Sequence, residues 1–155
     1  MLRKLLKKRQ LVCSLDLDSR TSSVRNSLTF KGKKSKAEKA VLRSLLESSR
    51  STGKISLLSG LSLLDSSFDN ICPNIGVKYN KFRRKKTATP QLISTDEKNK
   101  LGVKWLCKSL HKVKRKPVHT SLSSEILGSL AKRSGAYKLK LEHYKVIKEN
   151  RNAIR

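Results

Sequence analysis

Thirty-seven lysines and arginines stand against eleven aspartates and glutamates, a formal net charge of +26 in 155 residues. An excess of one sign this large opposes compaction through self-repulsion. Any fold the chain adopts must keep its cations outside and lean on an anionic partner. Nucleic acid and an anionic membrane surface are the two polyanions on offer, and a basic domain of this kind reads first as nucleic-acid binding. Hydrophobic residues make up 36% of the chain and aromatics 5%, which allows a modest leucine-rich helical core but not a thick one. The length suits one domain. The free protein is expected to be marginally folded, with its partner adding stability. No apolar run approaches the ~20 residues of a transmembrane helix.

Cys13, Cys72 and Cys107 are scattered and odd in number, with no Cys-x-x-Cys. A disulfide scaffold is therefore not expected, and a reducing compartment fits the chain better. The first segment carries Arg3, Lys4, Lys7, Lys8 and Arg9 with no acid before Cys13. A mitochondrial presequence and a basic arm reaching into RNA have this same composition. The expected organisation is a basic N-terminal arm over residues 1–20 and a single helical domain over 21–155.

Within that charge one stretch is nearly neutral. From Lys54 to Val77 only Lys54, Asp65 and Asp69 are charged, while Leu57, Leu58, Leu61, Leu64 and Phe68 recur at helical spacing. This helix is expected to be the core around which the others pack, stopped at Pro73. Before it, Val24, Leu28 and Phe30 allow a short helix ahead of the Gly32 break. Ser35-Lys36-Ala37-Glu38 reads as a capping box opening a helix from about Ser35 to Arg50, with Ala37, Ala40, Val41, Ser44 and Leu45 on one face.

Between Ile75 and Ile93 the period changes. Ile75, Val77 and Tyr79 alternate, Lys81-Phe82-Arg83-Arg84-Lys85-Lys86 follows, and Thr87, Thr89, Pro90, Leu92 and Ile93 return, which predicts a β-ribbon with a basic tip. Ser94-Thr95-Asp96-Glu97 offers a second capping box, and Leu101, Trp105, Leu106, Leu110 and Val113 extend a helix to about Lys114. Pro117 to Ser121 is read as a linker. Leu122, Ile126, Leu127 and Leu130 mark a fifth helix ended at Gly135. Tyr137, Leu141, Tyr144 and Ile147 mark the last. The architecture expected is mainly α, about six helices in a small bundle, with one protruding ribbon between the third and fourth.

The basic clusters carry the functional signal. Lys31, Lys33, Lys34 and Lys36 surround a flexible Gly32 at a helix N-terminus, where backbone N–H groups also favour phosphate. Lys78, Lys81, Arg83, Arg84, Lys85 and Lys86 line the ribbon, with Tyr79 and Phe82 able to stack on bases or to anchor the ribbon. Lys104, Lys108 and Lys112 sit four apart on one helical face, with Lys114, Arg115 and Lys116 just beyond. From Lys132 to Arg155 eight cations face two acids, Lys138 and Lys140 among them. Such stripes are either solvated faces or tracks for phosphates, and the total charge favours the tracks.

Catalysis finds no support. His111, His119 and His143 have no acid or nucleophile at a suggestive spacing, and there is no Walker loop, dinucleotide turn or paired-carboxylate motif. Cys107 and His111, four apart, make at most half a metal site, and packing accounts for them better. No cofactor and no metal are expected. A membrane-surface module and a nonspecific DNA-compacting protein remain as alternatives, the first disfavoured because the cations spread through loops and ribbon instead of one helical face.

The order of these features resembles the small-subunit ribosomal protein of the S-seven family. The strings that carry it are Gly32-Lys33-Lys34-Ser35-Lys36-Ala37-Glu38, Asn70-Ile71-Cys72-Pro73 with Val77-Lys78, Pro90 at the ribbon's far end, and Lys104-Trp105. Glu125-Ile126-Leu127 with Lys132-Arg133-Ser134-Gly135 looks like mitochondrial members, and the likeness runs from about Val24 to Ile154. The resemblance implies a structural, non-enzymatic protein that binds the 3′ major domain of small-subunit rRNA and helps nucleate assembly of the head. It implies a ribbon near the exit-site tRNA and mRNA path, neighbouring ribosomal proteins as partners, and no membrane. Carried over, it points to Lys33, Lys34, Lys36, Lys78, Lys81 and Lys104 beside Trp105 as RNA contacts. The family's Gly-Gly at the ribbon tip falls on Arg83-Arg84, its arginine before the Pro break on Cys72, its returning-arm tyrosine on Thr87, and its last-helix histidine on Lys145. Drift toward Lys, Leu and Ser fits an organellar gene, and the expected place is the mitochondrial matrix, ahead of plastid or bacterial cytoplasm.

Overall fold

The computed structural model describes residues 19–53, 56–82, 85–113 and 116–151. Most of the basic arm, with Arg3, Lys4, Lys7, Lys8 and Arg9, lies outside the described residues. Among those described, the chain runs α1 (Ser19–Leu28), α2 (Lys34–Ser51), α3 (Leu57–Ile71), β1 (Ile75–Phe82), β2 (Lys85–Leu92), α4 (Thr95–Lys112), α5 (Val118–Leu130) and α6 (Gly135–Glu149). This is the expected bundle of six helices with a ribbon between the third and fourth. The ribbon is antiparallel, with Ile75 opposite Leu92 and Lys78 opposite Thr89.

The near-neutral helix α3 lies in the core against α2, α4, α5 and α6, a central place that it shares with α4 and α5. Leu64, Phe68 and Ile71 are fully buried, each contributing about 1.5–3 kcal/mol through area removed from water. They meet Val24 of α1, Val41 and Leu45 of α2, Leu106 of α4, and Leu122 and Ile126 of α5. Leu58, expected in the inward stripe, is 76% exposed instead. The α2–α3 crossing is close enough that a Cβ on Gly60 would lie 2.6 Å from the Leu45 carbonyl oxygen.

A core with few apolar residues is completed by serines that satisfy themselves. Ser44, Ser48 and Ser67 donate to carbonyls three residues back on their own helices, at 2.7, 2.9 and 2.8 Å. Their hydroxyls can therefore be buried without the cost of an unpaired donor.

Several boundaries differ from expectation. Ser35 is the second residue of α2 and no side chain caps that helix, whose N-cap is Lys33. Lys31 and Gly32 both adopt left-handed backbone, with φ of 51° and 72°, and this turn makes the Lys33 carbonyl the first acceptor, for the N–H groups of Lys36 and Ala37. The expected second box is half formed, with Ser94 accepting from the Glu97 N–H. Residues 118–121 are helix rather than linker, because Pro117 at the N-cap supplies a φ of −62° and needs no N–H there. Helix α5 ends at Leu130, not Gly135, with Ala131 as its cap. Lys132 takes φ 57° and the Arg133 N–H closes on the Gly128 carbonyl at 2.7 Å. Gly135 instead opens α6, capped by the Ser134 hydroxyl, which accepts from the Tyr137 N–H.

The inward face of α6 also departs from the apolar stripe. Ala136 and Leu139 are buried while Leu141 is 46% exposed. Polar groups make its other inward contacts. His143 Nε2 lies 3.1 Å from the Ile75 carbonyl oxygen, and the Asn74 N–H donates to the Tyr144 hydroxyl at 3.3 Å. With Lys98 of α4 donating to the Asn74 side chain at 2.9 Å, these bonds fasten the root of the ribbon to the body.

Candidate nucleic-acid interface

Four of the described acids, Asp65, Asp69, Glu47 and Glu125, tie helices to one another. Arg20 of α1 pairs with Asp65 and Asp69 of α3 at 3.1 and 3.2 Å, and its guanidinium lies 5.9 Å from the centre of the Phe68 ring. Glu47 of α2 accepts from Ser123 at 3.0 Å and lies 3.4 Å from His119 of α5. Glu125 accepts from the Ser109 hydroxyl and faces the N–H groups of Gly135 and Ala136, where a carboxylate also suits the positive end of α6. Asp96 and Glu97 occupy the first turn of α4.

Most of the described cations face outward, the buried Arg25 and the half-buried Lys140 excepted. Lys31, Lys33, Lys34 and Lys36 are all exposed, at a helix N-terminus with no acid in its first turn. Beside them Phe30 is 73% exposed, with the Lys31 ammonium 5.5 Å from its ring centre. On α4, Lys104, Lys108 and Lys112 share an exposed face. None of these lysines is paired with a carboxylate among the described residues.

Lys100, four residues before Lys104 and not among the expected contacts, extends the stripe and occupies its pivotal position. It lines a groove of about 760 Å³ between α1 and α4, a smaller hollow with Arg20, Asp96 and Asn99, and a third hollow at the ribbon root with Lys78, Gln91 and Glu97. The α4 stripe is thus joined to the ribbon at one end. At the other, the α1 wall of the groove includes Asn26 and Ser27, and the Lys31–Lys36 loop begins four residues on. Spacing alone was a signal for Lys100. Asn26, on a helix with no evident role, had none.

The remaining predicted residues are less alike. Lys78 and Tyr79 are exposed on the ribbon. Lys81, Lys85 and Lys86 are described by their backbone course alone, while Arg83, Arg84, Lys114 and Arg115 lie outside the described residues. Trp105 is half-buried, packed on the core with its ring centre 5.2 Å from that of His143. Lys138 is exposed. Lys140 is half-buried and its ammonium donates to the Asn70 carbonyl at 2.6 Å, tying α6 to the end of α3. Burial pulls the Lys140 amine below its ordinary value.

Cys107 is buried and sits beside Ser27, and burial pushes its thiol up. His111, its partner in the suspected half-site, is exposed at the groove rim. Among the described residues no three His, Cys, Asp or Glu side chains gather as metal ligands would.

Comparison with known proteins agrees with this architecture. The family model described as ribosomal protein S7p/S5e matches residues 3–151. The small ribosomal subunit protein uS7 of Wolbachia pipientis wMel is 30% identical over 142 residues, covering 86% of this chain and 87% of that protein. The uS7 proteins of the Wolbachia of Brugia malayi (strain TRS) and of Sulfurovum sp. (strain NBC37-1) are 29% and 25% identical, covering 86% and 81% of this chain. With a bundle, a ribbon and a family match that extends over nearly its whole length, the chain belongs to the ribosomal protein S7p/S5e family and is a structural ribosomal protein, not an enzyme.

Proposed function

We propose that this protein binds the 3′ major domain of small-subunit rRNA, organises the head of the small subunit with neighbouring ribosomal proteins, and holds its ribbon near the exit-site tRNA and mRNA path. The observation that carries RNA binding is the tract of exposed cations from Lys78 through Lys100, Lys104 and Lys108 toward the Lys31–Lys36 loop. The domain and tRNA-side assignments rest on family membership.

Affinity comes from phosphate contacts by the lysines named above, by Lys138, and by Arg83, Arg84, Lys114 and Arg115. Shape and 2′-hydroxyls supply specificity. The basic arm over residues 1–20 reaches into RNA ahead of the single domain over 21–155. The relatives named above are bacterial, which fits a bacterial cytoplasm. The mitochondrial matrix rests on compositional drift, and import of the full chain into isolated mitochondria decides between them.

The test is competition between a 3′-domain rRNA fragment and an equal-length duplex DNA at physiological salt. Strong preference for the rRNA is expected, and indifference would overturn the ribosomal RNA assignment in favour of charge-driven binding. Charge reversal at Lys33, Lys34 and Lys36 should weaken rRNA binding and lower its salt slope by roughly 0.7–0.9 for each phosphate no longer neutralised.

A further inference from the structure

The groove between α1 and α4 has a chemistry that a phosphate track does not require. Its volume is about 760 Å³, more than an ammonium-lined phosphate site needs. Its floor is apolar, made by Val103 and the buried Cys107. One wall carries Lys100, Lys104 and Lys108, and the other presents the Asn26 amide with the Ser23 and Ser27 hydroxyls. Among the described residues no carboxylate lines it, and Asp96 lines the smaller hollow next to it.

We propose that this groove receives one unstacked nucleotide from a single-stranded segment of RNA, its base against Val103 and Cys107 and its backbone along the three lysines. This rests on the RNA-binding function proposed above and adds where, and in what form, a strand is read. Residues four apart on a helix are separated by about 6 Å along its axis, close to the repeat of consecutive phosphates in a single strand. Lys100, Lys104 and Lys108 therefore match successive phosphates. Asn26 offers both a donor and an acceptor, the pair that a base edge requires. Its amide has no partner among the described residues. Ser23 donates to the Ser19 carbonyl, so its oxygen is left to accept from a 2′-hydroxyl. His111 at the rim adds a ring against which a neighbouring base can stack. Helices packed side by side lie only about 8–10 Å apart, too close for the cleft between them to admit a duplex, whereas a splayed base fits.

The experiment uses the full chain and three fluorescent probes: a single-stranded RNA oligonucleotide, an RNA duplex of equal length, and poly-glutamate. Ser27→Trp fills the groove from the α1 side. Asn26→Ala removes the edge-reading amide at an exposed helical position and serves if the first variant misfolds. Each is expected to weaken single-strand binding by about tenfold while leaving duplex binding unchanged. Lys100→Ala is expected to lower the single-strand salt slope by about 0.7. Unchanged single-strand affinity in Asn26→Ala and in folded Ser27→Trp would overturn the groove assignment. Poly-glutamate that binds as tightly as the RNA strand and displaces it would overturn the occupant in favour of an acidic peptide. A wild-type protein that still prefers 3′-domain rRNA in either case leaves the broader function standing, and one that binds no RNA overturns both.

Discussion

Glu125 joins α4, α5 and α6 through one carboxylate, which takes the Ser109 hydroxyl at 2.5 Å and faces the first N–H groups of α6. Ser109 is 3% exposed, so removing the carboxylate takes away the acceptor of a buried hydroxyl. Glu125→Ala should cost about 1–3 kcal/mol, the usual penalty for stranding a buried donor, read as a lower urea midpoint; no change would mean that the bond is not formed. Lys140 makes a different demand. Burial lowers its pKa from 10.5 in the folded protein, so in the window below 10.5 the unfolded chain holds the proton more tightly and protonation opposes folding. Its contribution is complete above 10.5 and is lost as pH falls through the lowered folded value. Relative to Lys140→Met, the wild type should therefore gain stability as pH rises toward 10.5 in urea titrations. A constant difference would show that Lys140 is solvated like its neighbours. That Lys140 and His143 face inward was not legible in the sequence, because their partners, the carbonyls of Asn70 and Ile75, are far along the chain.

At the scale of elements, helix existence followed from periodicity and helix ends did not. Every helix expected is present, since an apolar face at 3.6-residue spacing must be buried whatever the partner. The ends depend on backbone turns that other residues induce. A left-handed Lys132 ends α5, although glycine is the usual residue for that conformation, and Gly135 resembles the stop for that reason. Gly60 is conspicuous for another cause. It sits where α3 meets the backbone of Leu45, and a backbone carbonyl cannot rotate away as a side chain can. Gly60→Ala should part α2 from α3 and cost about 1–3 kcal/mol by overpacking, despite alanine's better helix propensity. A neutral or stabilising outcome in chemical denaturation would mean that the helices slide apart freely.

Over the whole molecule, a net charge of +26 acts against a small core. Four of the few acids, Glu47, Asp65, Asp69 and Glu125, are committed to ties between helices, so the repulsion among exposed lysines is met by solvent ions until RNA replaces them. Raising sodium chloride from about 0.01 M to about 1 M shortens the screening length from roughly 30 Å to 3 Å. The thermal midpoint of the free protein should rise with it, by about 2–4 °C for each kcal/mol of repulsion removed. A flat or falling midpoint would show that the surface charges are too dispersed to matter. Stoichiometric 3′-domain rRNA should raise the midpoint further, because a ligand bound only by the folded state stabilises it.

The sequence by itself narrowed the partner to a polyanion and determined the number and order of elements and the near-neutral helix in the core. These follow from composition and period, which are properties of neighbouring residues. Only the tertiary structure decided which cations stand together. Lys100 joins the α4 stripe to the ribbon root because α1, α4 and the ribbon converge on it. Lys140 is drawn inward because the end of α3 offers a bare carbonyl within its reach. Such roles depend on groups that are distant in the chain and adjacent in space, and no local pattern encodes them.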